Sequence, residues 1–301
     1  MGTQSLAQTT SYSGFSLHSQ GETAVRLCHC VLLAGAVLAV AAAGDRRDGG
    51  AEAPALGPVR IVGSEAAGCI AGAVELPSKG LGFETIHASR SFFWGAPSTI
   101  ERVEELGERA HAAGLADLYV GDISRPRGGP IPGGHASHML GLDVDIWLDM
   151  RPKPALSAAE RDKPEVPPVV TADGRSVDRT VWSPDHVRLL KIAAESPDVD
   201  RIFVNPAIKQ ELCRVAGEDR DWLRLIRPWW GHTQHMHIRF RCPGDQPECV
   251  RGPPPPPGDG CDATLAWWFD QPAQPPGPKP STPRRPDACR VILEDGTAAL
   301  P

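Results

Sequence analysis

The sequence predicts an α+β protein: a single domain with a central antiparallel β-sheet flanked by helices, long loops and a disulfide-pinned, proline-rich tail. Three observations carry that expectation. Segments 142–148 and 236–240 alternate apolar and polar residues with period two, the mark of strands with one buried face. Ser98, Ser183 and Asn205 open segments with helix-start chemistry, and apolar residues recur behind the first two at helical spacing. Six of the eight cysteines lie in the body and tail of a chain with an export-like N-terminus, which points to three disulfides.

The chain of 301 residues is long enough for one large or two small domains with a real core. Its net charge of -6 speaks against nucleic-acid binding, which needs a basic patch. Val31 to Ala43 is a continuous apolar run preceded by Arg26, so residues 1–43 read as a signal peptide with cleavage near Ala41 to Ala43. An uncleaved anchor is the alternative, but His29 and the many alanines weaken a span of borderline length. The stretch ahead of the run is long and weakly charged, so the true start is expected downstream of Met1. No membrane span is expected after cleavage. Residues 44–58, rich in Ala, Gly, Asp and Arg, read as a disordered linker.

The folded body is expected over 59–250. Ser98 with Glu101 suggests a capping box, followed by Ile100, Val103, Leu106 and Ala110 on one helical face and Gly114 as the stop. Leu118 to Val120 reads as a short strand, and Gly133-Gly134 as a turn. Arg151 to Arg179 is polar and proline-rich, a long loop with one weak helix. Ser183-Pro184 starts a helix with Val187, Leu190 and Ala194 on its apolar stripe. Arg201 to Val204 is a strand, and Asn205-Pro206 caps a helix ending at Gly217. Residues 251–301 form the tail, where two proline runs favour extended backbone without a core of its own. Cys261 and Cys289 are expected to pin it to the body.

Metal-ligating residue types gather in two windows, GGHASHMLGLDVDIWL (133–148) and GHTQHMHIRF (231–240). In the first, Leu142, Val144, Ile146 and Leu148 form an aliphatic face opposite Asp143, Asp145 and Trp147. Two aspartates within a strand are costly, and a cation is the obvious compensation. In the second, His235, His237 and Arg239 oppose Met236, Ile238 and Phe240. If the two strands are neighbours, Asp145, His235 and His237 share one face, and His138 arrives from the loop. Three protein ligands with one open position is the pattern of a catalytic zinc site. A lone histidine on a strand is usually just a satisfied polar group; five histidines and two aspartates in two short windows are not. No GxSxG elbow and no HExxH helix occurs. His18, His29, His87, His111 and His186 are scattered and read as surface or local capping residues.

These windows, with GDIS (121–124), RIFVNPAIKQELC (201–213), DRDWLRLIRPWW (219–230) and GDGC (258–261), closely resemble the penicillin-insensitive murein endopeptidases. Those belong to a wider group of zinc peptidases that includes D-alanyl-D-alanine dipeptidases and carboxypeptidases. The resemblance covers roughly Cys69 to Cys289. It implies one Zn2+ per chain held by His138, Asp145 and His237, with His235 as the catalytic histidine and His135 and His232 lining the site. It makes 59–250 the catalytic domain. It implies disulfides Cys69–Cys289, Cys213–Cys261 and Cys242–Cys249, and a periplasmic protein acting on D-alanyl–meso-diaminopimelate cross-links in peptidoglycan. Asp143 reads either as a group orienting a metal ligand or as a structural hydrogen-bonding residue. Asp173 matches the aspartate of a family Asp-Gly-x-x-His segment, in which Ser176 replaces the histidine; a substrate contact is expected there. Trp229 and Trp230 read as a groove wall or as core aromatics. Two rivals remain: a D-alanyl-D-alanine carboxypeptidase or dipeptidase with the same site, and a peptidoglycan-binding protein without turnover.

Overall fold

The computed structural model describes residues 53–132, 135–153, 156–271 and 283–296. The expected signal peptide, most of the expected linker, the Gly133-Gly134 turn and most of the second proline run lie outside the described residues.

The described chain opens with a hairpin, β1 (Arg60–Ser64) and β2 (Ala67–Ala71), whose register sets Val62 opposite Cys69. Gly63 has φ +89, and a Cβ there would meet the Ala67 carbonyl at 2.3 Å, so the hairpin requires glycine. A two-residue pair, β3 (Val74–Glu75) with β6 (Trp94–Gly95), lies beyond it. The main sheet contains β4 (Lys79–Gly80), β5 (Phe83–Thr85), β7 (Leu118–Val120), β8 (Asp143–Trp147), β9 (Val199–Val204), β10 (Ile226–Pro228) and β11 (His235–Phe240), in the order β10-β9-β11-β8-β7-β5-β4. Its centre, β9-β11-β8-β7, is antiparallel as the sequence suggests. The flanks add two parallel pairs, β10 with β9 and β5 with β7, so the whole sheet is mixed.

Helices cover the aliphatic face. Val144, Ile146, Ile202, Met236 and Ile238 pack with Val103 and Leu106 of α1 (Pro97–Ala112) in one core, to which Leu189 and Leu190 of α3 (Pro184–Ala194) also belong. Each such side chain contributes roughly 1.5–3 kcal/mol on burial. Helix α1 begins two residues earlier than the Ser98–Glu101 pattern suggests: Ala96 is the cap, Pro97 takes the first position, and no side chain caps the helix. The stop near Gly114 holds, with φ +74 at that glycine. Ser183 caps α3 through a box with His186, whose ring also reaches the Leu148 carbonyl at 3.1 Å. His186 is thus a capping residue, but a buried one. The weak helix of the long loop is α2 (Ala158–Asp162). Asn205 caps α4 (Pro206–Val215) by accepting from Ala207 N.

The tail departs from a purely extended form. After the first proline run, Asp262 caps a further helix, α5 (Ala263–Asp270). Three disulfides join Cys69 to Cys289, Cys213 to Cys261, and Cys242 to Cys249. Among the described residues no helix is long and apolar enough to cross a membrane.

Candidate metal centre

The face of the sheet opposite the helices carries the ionisable residues. Strands β8 and β11 run antiparallel with His237 opposite Asp145, His235 opposite Trp147 and Arg239 opposite Asp143. Directly opposed side chains on one face stand about 4.5–5.5 Å apart at Cβ, so the register alone brings an imidazole and a carboxylate together. Both aspartates are buried, so this face is covered as well.

His138 comes from the loop entering β8. Its φ is +72, an uncommon value for a residue with a Cβ. Two bonds hold it there: its backbone N–H donates to Asp143 Oδ2 (2.9 Å), and its Nδ1 lies 2.9 Å from the Ile123 carbonyl. A carbonyl only accepts, so Nδ1 carries a proton and Nε2 points at Asp145 Oδ1, 3.5 Å away. His237 Nδ1 is also 3.5 Å from that oxygen, and His237 Nε2 is 3.2 Å from Asp143 Oδ1. Asp143 therefore sits behind both histidines, and it also accepts from Arg239 Nε at 2.8 Å.

The other predicted residues surround this core. His235 Nε2 is 3.9 Å from Asp145 Oδ1, and its ring stacks on Trp147 with centroids 5.1 Å apart. His135 Nδ1 lies 3.9 Å from Asp145 Oδ2, while its Nε2 is 3.1 Å from Asp122 Oδ2. His232, at φ +52, places Nδ1 2.8 Å from the Trp230 carbonyl and its ring 4.9 Å from that of His235. Asp173 is not part of the cluster. It is exposed on the turn around Gly174, and its carboxylate accepts from Thr171 Oγ1 and Arg175 N; among the described residues none of its hydrogen bonds reaches the histidines. Trp229 is half exposed, with its ring 5.7 Å from Phe203, which lies edge-on to His237 at 5.4 Å.

Electrostatics distinguish these groups. Burial opposes charge on Asp145, but the facing His138 and His235 hold it far below the ordinary carboxylate range. Asp143 is held low in the same way, against burial, by Arg239 and His237. Burial would also lower His138; the Asp145 charge overrides it and lifts the imidazole to about 9. His237 is pushed down by burial. Burial, then His235 and His237, push His232 down to about 4, so it is neutral at pH 7 with Nε2 free to accept.

The donor set fits a metal ion. Among the described residues, His138 Nε2 and Asp145 Oδ1 are buried without a hydrogen-bond partner, and they face each other. Donors around a tetrahedral ion with bonds of about 2.0–2.1 Å stand roughly 3.3–3.4 Å apart, close to the two 3.5 Å separations at Asp145 Oδ1. Potential donor atoms of His135, His138 and Asp145 likewise lie within 4.8 Å of one another.

Residues 61–294 match the family model described as penicillin-insensitive murein endopeptidase. The chain belongs to that family. Among relatives named penicillin-insensitive murein endopeptidase, the protein of Salmonella arizonae is 45% identical over 245 residues, covering 80% of this chain and 89% of its own length. That of Klebsiella pneumoniae strain 342 is 41% identical over 244 residues, again 80% and 89%. The murein endopeptidase match runs through α5 and the C-terminal cysteine, as far as residue 294.

Two contributors escaped the sequence reading. Asp122 is fully buried and joins His135 to Arg90, whose Nη1 lies 2.9 Å from the same carboxylate. Its signals are its place in the GDIS segment and its position two residues beyond the end of β7. Phe203 reaches the site because β9 pairs with β11 and sets it opposite His237.

Proposed function

We propose that the protein is a secreted, periplasmic, zinc-dependent murein endopeptidase that hydrolyses D-alanyl–meso-diaminopimelate cross-links in peptidoglycan. The observation that carries the reading is the pair of buried, partnerless donor atoms on His138 and Asp145, with His237 Nδ1 at equal distance from the same carboxylate oxygen. His138, Asp145 and His237 would hold Zn2+; His135, whose Nε2 is engaged by Asp122, would instead contact substrate. When bound, the ion supplies Lewis acidity toward the scissile carbonyl and lowers the pKa of water toward about 7.

The protein's own groups move the proton. His235, fixed by Trp147, accepts a proton from the attacking water at an imidazole nitrogen. The water oxygen bonds to the D-alanyl carbonyl carbon, the C–N bond breaks, and the departing diaminopimelate amine takes the proton from His235. A carboxylate and a free amine result. His232 Nε2, an acceptor at neutral pH, suits a substrate N–H. No acyl-serine forms, so β-lactams have no covalent target.

Digestion of purified cross-linked muropeptides tests this, with zinc content measured for each protein. Wild type should convert dimers to monomers. His138→Ala should lose metal and activity, and His235→Ala should lose activity while retaining most of its zinc. Release of terminal D-alanine with dimers intact would establish the carboxypeptidase alternative, and binding to sacculi without products the non-catalytic one.

A further inference from the structure

Half of the chain's eight tryptophans form one cluster beside the metal centre, and two of them are exposed. Trp229 and Trp230 follow β10; Trp267 and Trp268 lie on α5. Ring centroids are 6.0 Å apart for Trp229–Trp268, 4.8 Å for Trp230–Trp268 and 5.3 Å for Trp267–Trp268. Trp229 is 50% and Trp267 48% exposed, an uncommon state for the largest apolar side chain.

The cluster is held rigidly. Cys261, just ahead of α5, is bridged to Cys213 of α4. Asp259 is gripped by Arg220 Nε at 2.6 Å, and its carbonyl accepts from the buried Lys209 ammonium. Leu265 anchors α5 from below. Trp229 is fixed by its backbone N–H, which donates to the Val204 carbonyl at 2.8 Å. An exposed aromatic patch on so many supports marks a binding surface.

We propose that Trp229 and Trp267, backed by Trp230 and Trp268, form a stacking platform for the glycan strand that carries the cross-linked peptide. The proposal rests on the murein reading above and extends it from the peptide to the sugar. Three features select a sugar. The C–H face of a pyranose packs on the negative face of an indole ring. Among the described residues, no protein acceptor meets the indole N–H of any of the four tryptophans, which leaves these donors for hydroxyl groups. Most directly, the platform is continuous with the candidate metal centre. Centroid steps of 5.4 and 5.7 Å through Phe203 put Trp229 no farther than about 11 Å from His237. An extended four-residue peptide stem spans at most about 13–14 Å. A scissile bond at the histidines therefore leaves its sugar within reach of the tryptophans.

The test uses the zinc-loaded chain. Peptide-free glycan chains are titrated against His235→Ala, with tryptophan fluorescence as readout, and then against His235→Ala carrying Trp267→Ala or Trp267→Phe. Binding should weaken about 2- to 12-fold for Trp267→Ala and much less for Trp267→Phe, which keeps a flat face. With otherwise wild-type enzyme, the preference for disaccharide-bearing over glycan-free cross-linked peptides should fall in Trp267→Ala, the glycan-free rate serving as internal reference. Equal binding by all three proteins, or none at millimolar glycan, overturns the proposal. So does concentration-dependent self-association lost in Trp267→Ala, which would make the partner a second copy. Binding needs no turnover, so an inactive wild type would sink the murein reading while the titration still decides the platform.

Discussion

Replacing Asp143 by Asn removes one buried charge while keeping the side chain's volume. Two donors hold that carboxylate, His138 N at 2.9 Å and Arg239 Nε at 2.8 Å, and His237 Nε2 stands 3.2 Å from it. An amide offers one acceptor oxygen, so at least one donor then faces an NH2 group. Breaking a buried ion pair by removing one partner costs about 3–5 kcal/mol. Glu65 Oε1, 3.1 Å from Arg239 Nη1, retains part of the attraction and favours the low end. For a folded unit of this size, ~3 kcal/mol lowers the melting temperature by roughly 6–12 °C. The same change frees both proposed histidine ligands from the group behind them, which typically weakens metal affinity about 10- to 100-fold. Thermal melts of metal-free protein at pH 7 measure the first effect, and competition with a chromogenic zinc chelator the second. A shift below about 2 °C with unchanged affinity would refute both. A large thermal shift with wild-type affinity would make Asp143 structural only, with no part in orienting the ligands.

Zinc should stabilise the chain by about 2.7 kcal/mol at a free concentration 100 times its dissociation constant; a chelator should reverse this, and equal rescue by Mg2+ would contradict the N/O donor set. Lys209, buried and near Arg227, has its amine pushed down to about 7 from 10.5. Folding then releases a proton between those values, so its contribution is flat below pH 7 and rises above it; from pH 7 to 9 wild type should gain up to about 2.7 kcal/mol relative to Lys209→Met in chemical denaturation, and parallel curves would exclude this. Removing the Cys213–Cys261 bridge, with its separation of 48 residues, by a double Cys→Ser change should cost about 4 kcal/mol in denaturant. It should also raise the mobility of the Trp267–Trp268 pair in fluorescence anisotropy; an unaltered signal would mean that other contacts hold α5.

The two strands that build the site were legible because period two survives wherever one face is aliphatic, as in Val144 and Ile146 or Met236 and Ile238. Their pairing was not, since alternation fixes which face a residue takes but leaves the partner strand and register open. His237 meets Asp145 only because β11 sits beside β8 in that register. The β1–β2 hairpin escaped notice because Gly63 and Gly68 interrupt its pattern. Helix α5 was masked by the proline runs on either side. Asp173 was singled out by motif position, yet its turn already uses the carboxylate. Asp122 carried no periodic signal at all.

The charges of the site explain why, of its three buried aspartates, Asp145 is the one suited to hold a cation. Asp122, Asp143 and Asp145 are all buried on this face, and an isolated buried carboxylate is costly. Asp122 is matched by Arg90 and Asp143 by Arg239, permanent cations at 2.9 and 2.8 Å. Asp145 is surrounded by histidines alone. Without a metal its compensation is a proton on His138, which is why that imidazole is lifted to about 9. A divalent ion would replace this proton and leave His138 Nε2 as a neutral donor, the form a metal requires. The arginines thus do more than neutralise their partners: by satisfying Asp122 and Asp143 they leave one unmatched negative charge, at the point where the imidazole nitrogens converge.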